Sequence, residues 1–174
     1  RPLQIALNGE VFAVTMRTPG ADLELVIGLL LGEGLLSPEA VPGHLSVASQ
    51  ETRGDHDFID LRIPQIYLCP NLNNHRSLTA NAACGICGLR NWQPVDAPPV
   101  ASPVVPFDAF VLEHAFAHVA ANQALFAATG AVHAAGVFDM NLNLLAVHED
   151  VGRHNAVDKV IGTLAKSGQS ASLL

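Results

Sequence analysis

The chain has 174 residues, 49% hydrophobic and 14% charged, with a mean hydropathy of +0.31, which describes one folded domain with room for a small second lobe and excludes a disordered chain. Acidic side chains outnumber basic ones 16 to 9, a formal charge of -7, and the Lys and Arg residues are scattered from Arg1 to Lys166, which argues against sequence-independent nucleic-acid binding. The longest apolar run, Leu25 to Leu31, is interrupted by Gly28 and falls far short of the roughly 20 residues that cross a bilayer, so no membrane partner is expected.

No basic, apolar and small-residue series follows Arg1, so no signal peptide is expected. The cysteines Cys69, Cys84 and Cys87 are too few and too unevenly placed for a secreted disulfide framework. A reducing, cytoplasmic setting fits them.

In chain order, Leu3 to Leu7 alternates, Asn8-Gly9 is a hairpin dipeptide and Val11 to Met16 resumes a strand pattern, so a β-hairpin opens the chain. Thr18-Pro19-Gly20 breaks the strand. Asp22 then serves as N-cap of a helix over Leu23 to Leu31 that is apolar nearly all round, hence buried, and that Gly32-Glu33-Gly34 ends. Ser37-Pro38-Glu39 predicts a short second helix. Strands are expected around Leu45 to Ala48 and Phe58 to Ile63, with the polar run Ser49 to Asp57 between them. Residues 70–92 lack either periodicity and are expected to form a mobile loop, whereas Gln93 to Pro106, with five prolines, reads as an extended arm.

From Asp108 a helical period runs through Val111, Leu112, Ala115, Phe116, Val119, Ala120 and Phe126, and Thr129-Gly130 stops it. Ala131 to Phe138 and Leu142 to Val147 predict two strands joined at Asp139-Met140-Asn141. The run from Glu149 to Asn155 then leads into a helix carrying Ala156, Val157, Val160, Ile161 and Leu164. Another strand is expected to start in Gly168 to Leu174, where the chain reads as cut off. The class is α/β (α+β), divided into an N-terminal α+β lobe at 1–78, a cysteine loop and proline-rich linker at 79–106, and an α/β core from 107 to 174.

Ala82-Ala83-Cys84-Gly85-Ile86-Cys87-Gly88 is the sharpest chemical feature. Two thiols at this spacing can share a metal, close a disulfide, or act as nucleophile and helper, and the glycines let backbone fold tightly around sulfur. A zinc site needs two more ligands, and only Cys69 is left among the cysteines, so no metal is assigned. A thioredoxin-like motif would open an amphipathic helix, yet proline-rich sequence follows. Deaminase chemistry would need a Glu two residues after His133, where Ala135 stands. A loop presenting thiols also suits sulfur transfer, in which a thiolate accepts a sulfane sulfur as a persulfide and delivers it elsewhere.

A second cluster runs from His148 to Lys159, at a strand end that becomes a helix N-terminus, where anions are favoured. Two readings stand: a ligand site using His133, Arg153, His154 and Asn155, or a capping and salt-bridge cluster with Asp150 or Asn155 as cap. His133 also reads as a core histidine. His114 and His118, at i and i+4, read as a solvated helix face.

Three segments together resemble one family: Met16-Arg17-Thr18-Pro19-Gly20 with Gly32-Glu33-Gly34-Leu35-Leu36, the Cys84 to Gly88 motif, and Thr129 to Ala135 followed by Glu149 to Gly162. They resemble the formate dehydrogenase accessory sulfurtransferase family, FdhD. The resemblance implies a cytidine-deaminase-like core, a homodimer, and transfer of sulfur from a cysteine desulfurase to the bis-guanine-dinucleotide molybdenum cofactor of formate dehydrogenase. It also implies Cys84 as persulfide carrier and Cys87 as assisting thiol. Ala131 and His148 depart from the family pattern, which commonly has glycine and arginine there, and the family's C-terminal segment that contacts the guanine nucleotide lies beyond Leu174. The alternative is a non-catalytic cofactor- or apoprotein-binding chaperone whose cysteines close a metal or redox clip.

Overall fold

The computed structural model describes residues 1–41, 43–69, 109–139 and 141–168. Cys84 and Cys87, the loop expected over 70–92, the proline-rich arm and the strand expected near the C-terminus lie outside the described residues.

Strands β1 (Pro2–Leu7) and β2 (Glu10–Met16) form the expected antiparallel hairpin. Asn8 and Gly9 both adopt positive φ, 55° and 86°, the pair of left-handed residues that a two-residue turn matched to strand twist requires. Strand β3 (Ser46–Arg53) pairs antiparallel with β4 (His56–Arg62), and β4 runs parallel to β1, giving the order β2-β1-β4-β3. The polar run from Ser49 is not a spacer but most of β3, an outer strand whose side chains are nearly all exposed. With neither face buried, it carries no apolar alternation.

Helix α1 (Asp22–Gly32) crosses from β2 and buries Leu25, Val26, Ile27, Leu30 and Leu31 in one core with Leu3, Ile5, Ile59 and Leu61. Its start differs from expectation. Asp22 is the first helical residue and its carboxylate is bound by Arg17, so the N-cap is Ala21, held left-handed at φ 54° with no side-chain cap. At the other end, Gly34 at φ +65° lets the Leu35 amide return to the Leu30 carbonyl at 2.8 Å. The helix expected after Ser37 shrinks to one 3-10 turn, Pro38–Ala40, since Ser37 makes no capping bond and the chain becomes extended again at Val41.

The helix expected from Asp108 to Thr129 is two: α2 (Ala109–Ala121) and α3 (Ala124–Thr129). At the break, the Asn122 side chain donates to the His118 carbonyl at 2.8 Å, while Glu149 takes the amides of Leu125 and Phe126 at 2.8 and 2.7 Å. That carboxylate supplies the partner a new helix N-terminus needs. Gly130, left-handed, ends α3 as expected. Strands β5 (His133–Phe138) and β6 (Leu144–Asp150) pair antiparallel and lead into α4 (Arg153–Lys166); the second strand, expected over Leu142 to Val147, runs on through Glu149 and Asp150.

The two halves meet where α4 packs on α1 as well as on β5 and β6. A β-carbon on Gly28 would stand 1.8 Å from the Asp158 carbonyl oxygen, and one on Gly162 would stand 1.9 Å from that of Glu24. Only glycine permits this backbone approach, and the contact is reciprocal, each helix offering one glycine to one carbonyl of the other.

Candidate functional site

The turn from β6 into α4 is built around Asp150, which is fully buried, and Lys159, which is 2% exposed. Lys159 Nζ lies 2.7 Å from Asp150 Oδ2 and donates to the Thr18 carbonyl at 2.8 Å. The same carboxylate accepts the Thr18 amide at 3.1 Å, the Gly152 amide at 2.9 Å and the Asn155 side chain at 3.1 Å. Thr18 Oγ1 in turn accepts the Val151 amide at 2.9 Å, and Asn155 Nδ2 donates to the Met16 carbonyl at 2.8 Å. Met16 to Thr18, at the end of β2, is thus latched to residues 150–159 through four hydrogen bonds, of which those to Asp150 and from Lys159 are charge-assisted.

The latch predicts a large stability effect. Removing one partner of a buried pair leaves an uncompensated charge, so Lys159→Met should lower the unfolding free energy by about 3–5 kcal/mol, read from the urea midpoint. A loss below about 1 kcal/mol would show the pair to be dispensable.

Arg17, 2% exposed, forks onto Asp22 through Nε and Nη2 at 2.8 Å each and reaches Asp57 Oδ2 at 2.7 Å. Burial pulls this guanidinium down, but the hydrogen bonds and charges of Asp22 and Asp57 outweigh it and hold Arg17 above its ordinary pKa. Beside the latch, His148 Nε2 is 2.8 Å from Thr163 Oγ1. The threonine hydroxyl already donates to the Lys159 carbonyl at 2.8 Å, so the histidine must be the donor. Burial, and then the Lys159 ammonium, keep the imidazole below its ordinary pKa, against the opposing pull of Glu24.

A cleft of about 280 Å³ lies between the halves, lined by Pro19, Gly20, Ala21, Asn122, Leu125, Val147, His148, Glu149 and Lys159. Of the residues proposed from sequence, His133 stands opposite Asp150 in the β5–β6 register and is exposed, and Arg153 and His154 are exposed in the first turn of α4. None of these three lines that cleft. The sequence cluster therefore divides. Glu149, Asp150, Asn155 and Lys159 are committed to structure, and neither Asp150 nor Asn155 caps α4 by side chain, its N-cap being Gly152. Arg153 and His154 face outward with no hydrogen bond or ion pair among the described residues, next to the free amides of a 14-residue helix. An anionic group fits that first turn. His114 and His118 stand on one face of α2, their ring centroids 4.3 Å apart, with His118 edge-on to Phe138.

Sequence reasoning missed the roles of Arg17, Thr18 and Lys159. Lys159 carried one usable signal: it falls between Ala156 and Val160 on the apolar face of α4, where an unpaired lysine would not be buried. Among the described residues no group of three or more His, Cys, Asp or Glu is placed to hold a metal, and no helix is long and apolar enough to cross a membrane.

These features define a class: an α+β protein whose four-stranded sheet and β-hairpin unit are joined by a glycine-mediated helix crossing and a buried Asp–Lys latch, with Arg153 and His154 facing outward at the start of α4. The chain belongs to the FdhD/NarQ family, whose model matches residues 1–173. It is 38% identical over 167 residues to the "Sulfur carrier protein FdhD" of Nocardia farcinica, covering 92% of this chain and 58% of that protein. To the protein of the same name from Xanthomonas axonopodis pv. citri it is 37% identical over 172 residues, covering 98% and 60%. The chain thus spans about three fifths of the length of these curated relatives. A crystal structure from Desulfotalea psychrophila, of a protein provisionally assigned as a formate dehydrogenase accessory protein, matches 96% of this chain and 58% of its own at a TM-score of 0.57 and 23% identity, a likeness of fold.

Proposed function

We propose that this protein is a sulfur carrier and sulfurtransferase that serves formate dehydrogenase. The observation that carries the reading is family membership across nearly the whole chain, with relatives named as sulfur carriers, in a sequence that holds a C-x-x-C. A cysteine desulfurase would be the donor. The Cys84 thiolate attacks the outer sulfur of the donor's persulfide, takes that sulfur as Cys84–S–SH and releases the donor thiolate. The acceptor would be the bis-guanine-dinucleotide molybdenum cofactor, which is cargo here and not a resident group. Its phosphates match the chemistry of the α4 N-terminus, where Arg153 offers a fork of donors beside helix amides, with His154 next to it and His133 on β5 opposite Asp150.

The same proposal reads the chain as an N-terminal lobe at 1–78, a cysteine segment at 79–106 and part of a cytidine-deaminase-like core from 107, working as a cytoplasmic homodimer.

Intact-mass measurement after incubation with a cysteine desulfurase and cysteine tests the transfer: an adduct of about 32 Da, one sulfur atom, is expected. Stoichiometric zinc without an adduct would favour the chaperone with a metal clip. Arg153→Ala should leave loading at the cysteines intact and weaken guanine-nucleotide or cofactor binding about tenfold or more, the scale of one charge-assisted contact. Unchanged binding in titration calorimetry would remove Arg153 from the site.

A further inference from the structure

At the α1–α4 crossing, Asp158 sets its carbonyl oxygen against Gly28 and its carboxylate beside Gly32, with Oδ1 3.8 Å from where a β-carbon on Gly32 would stand. The carboxylate thus lies along the last turn of α1, at the negative end of the helix dipole. Among the described residues, the charges that act on it are of like sign. Glu33 follows α1, and Asp150 approaches from β6.

The cations of the seam are engaged elsewhere: Lys159 with Asp150 and Thr18, Lys166 with Glu24, and Arg17 with Asp22 and Asp57. On β6, His148 donates to Thr163 and Glu149 takes the α3 amides; on β5, His133 is exposed. Arg153 and His154, a turn earlier on α4, make no ion pair with Asp158, whose carboxylate has no hydrogen bond among the described residues. Burial, then Glu33, then Asp150 push this carboxyl up to about 7 from an ordinary 3.8.

We propose that Asp158 is a proton-operated catch on the joint between α1 and α4: protonated, it lets the helices close at their glycines, and ionised, it repels the end of α1 and loosens the joint that holds the Thr18–Asp150 latch. The sign follows from linkage. The folded protein binds this proton more tightly than the unfolded chain, so the stabilisation belongs to the acid side and is lost as pH rises toward and through 7. His148, held below its ordinary pKa, and Glu24, held low against the opposing effect of burial by Lys166, act in the opposite direction and lose stability as pH falls.

Urea unfolding of the wild-type chain, Asp158→Asn and Glu33→Gln between about pH 5.5 and 8.5 tests the catch. The wild-type midpoint should fall across neutrality, Asp158→Asn should hold its midpoint there, and Glu33→Gln should fall by less than wild type. In hydrogen exchange, corrected for intrinsic rates, the wild-type Thr18 and Val151 amides should lose about tenfold protection at the alkaline end, and those of Asp158→Asn should not. An alkaline slope in Asp158→Asn parallel to wild type, or a loss of stability in that variant at every pH, would overturn the proposal.

Discussion

Gly162→Ala should lower the unfolding free energy by about 3 kcal/mol or more, among the largest single-methyl effects a helix face can show. Alanine is ordinarily the better helix former by about 1 kcal/mol, so an exposed helical glycine would gain from the change. Here the new methyl would stand 1.9 Å from the Glu24 carbonyl oxygen, a backbone atom that cannot rotate away, so α4 must lift from α1. Lifting uncovers Ala165 and Ile161, which pack against the main core, and stretches the latch at Thr18. Gly28→Ala, facing the Asp158 carbonyl at 1.8 Å, should behave alike.

Two controls separate this from a general intolerance of glycine replacement. Gly32, one turn beyond Gly28, has its nearest neighbour at 3.8 Å, so Gly32→Ala should be neutral or gain up to about 1 kcal/mol. Gly136 on β5 would meet the Val119 γ-methyl at 2.6 Å and Leu144 and Phe138 at 3.5 and 3.6 Å; a helical valine keeps one χ1, so α2 must shift slightly, but side chain and not backbone yields, and the loss should be smaller than at Gly162. Denaturant midpoints for the four variants measure the series; equal values would refute the crossing as the site of constraint.

The second large effect concerns function. On the proposed mechanism, Cys84→Ala should abolish the persulfide adduct, whereas Cys87→Ala should still load and then accumulate it. If Cys84 holds the outgoing sulfur, the Cys87 thiolate can attack the Cys84 sulfur, form the Cys84–Cys87 disulfide and release the outer sulfur as hydrosulfide to the acceptor. A dithiol reductant must then restore both thiols before another cycle. Time-resolved intact mass with an alkylating trap distinguishes the two variants. The reverse pattern would exchange the roles, and normal formate dehydrogenase activity with both replaced would remove sulfur transfer from the account.

Much of the fold was legible because local chemistry determines it. Asn8-Gly9 specifies its hairpin, the apolar run to Leu31 specifies a buried helix, and Gly130 specifies a stop, each through backbone sterics or burial that neighbours in sequence already express. Local signals failed where a distant partner intervened. Asp22 looked like a cap and is the counter-ion of Arg17; Glu149 read only as part of the polar cluster leading into the last helix and is the group that splits α2 from α3.

The candidate site shows the same division. By itself the sequence determined that Cys84 and Cys87 can carry sulfur chemistry and that residues 149–162 carry the resemblance to the family, since both depend on residue types at short spacing. Only the tertiary structure decided which polar residues of that second run are available. Glu149, Asp150, Asn155 and Lys159 are bound within the fold, to partners as far away as Met16 and Thr18, and Arg153 and His154 face solvent. The reason is physical: a buried charge must be paired, its partner can stand more than a hundred residues away, and nothing in the spacing of one segment shows what the other segment will offer.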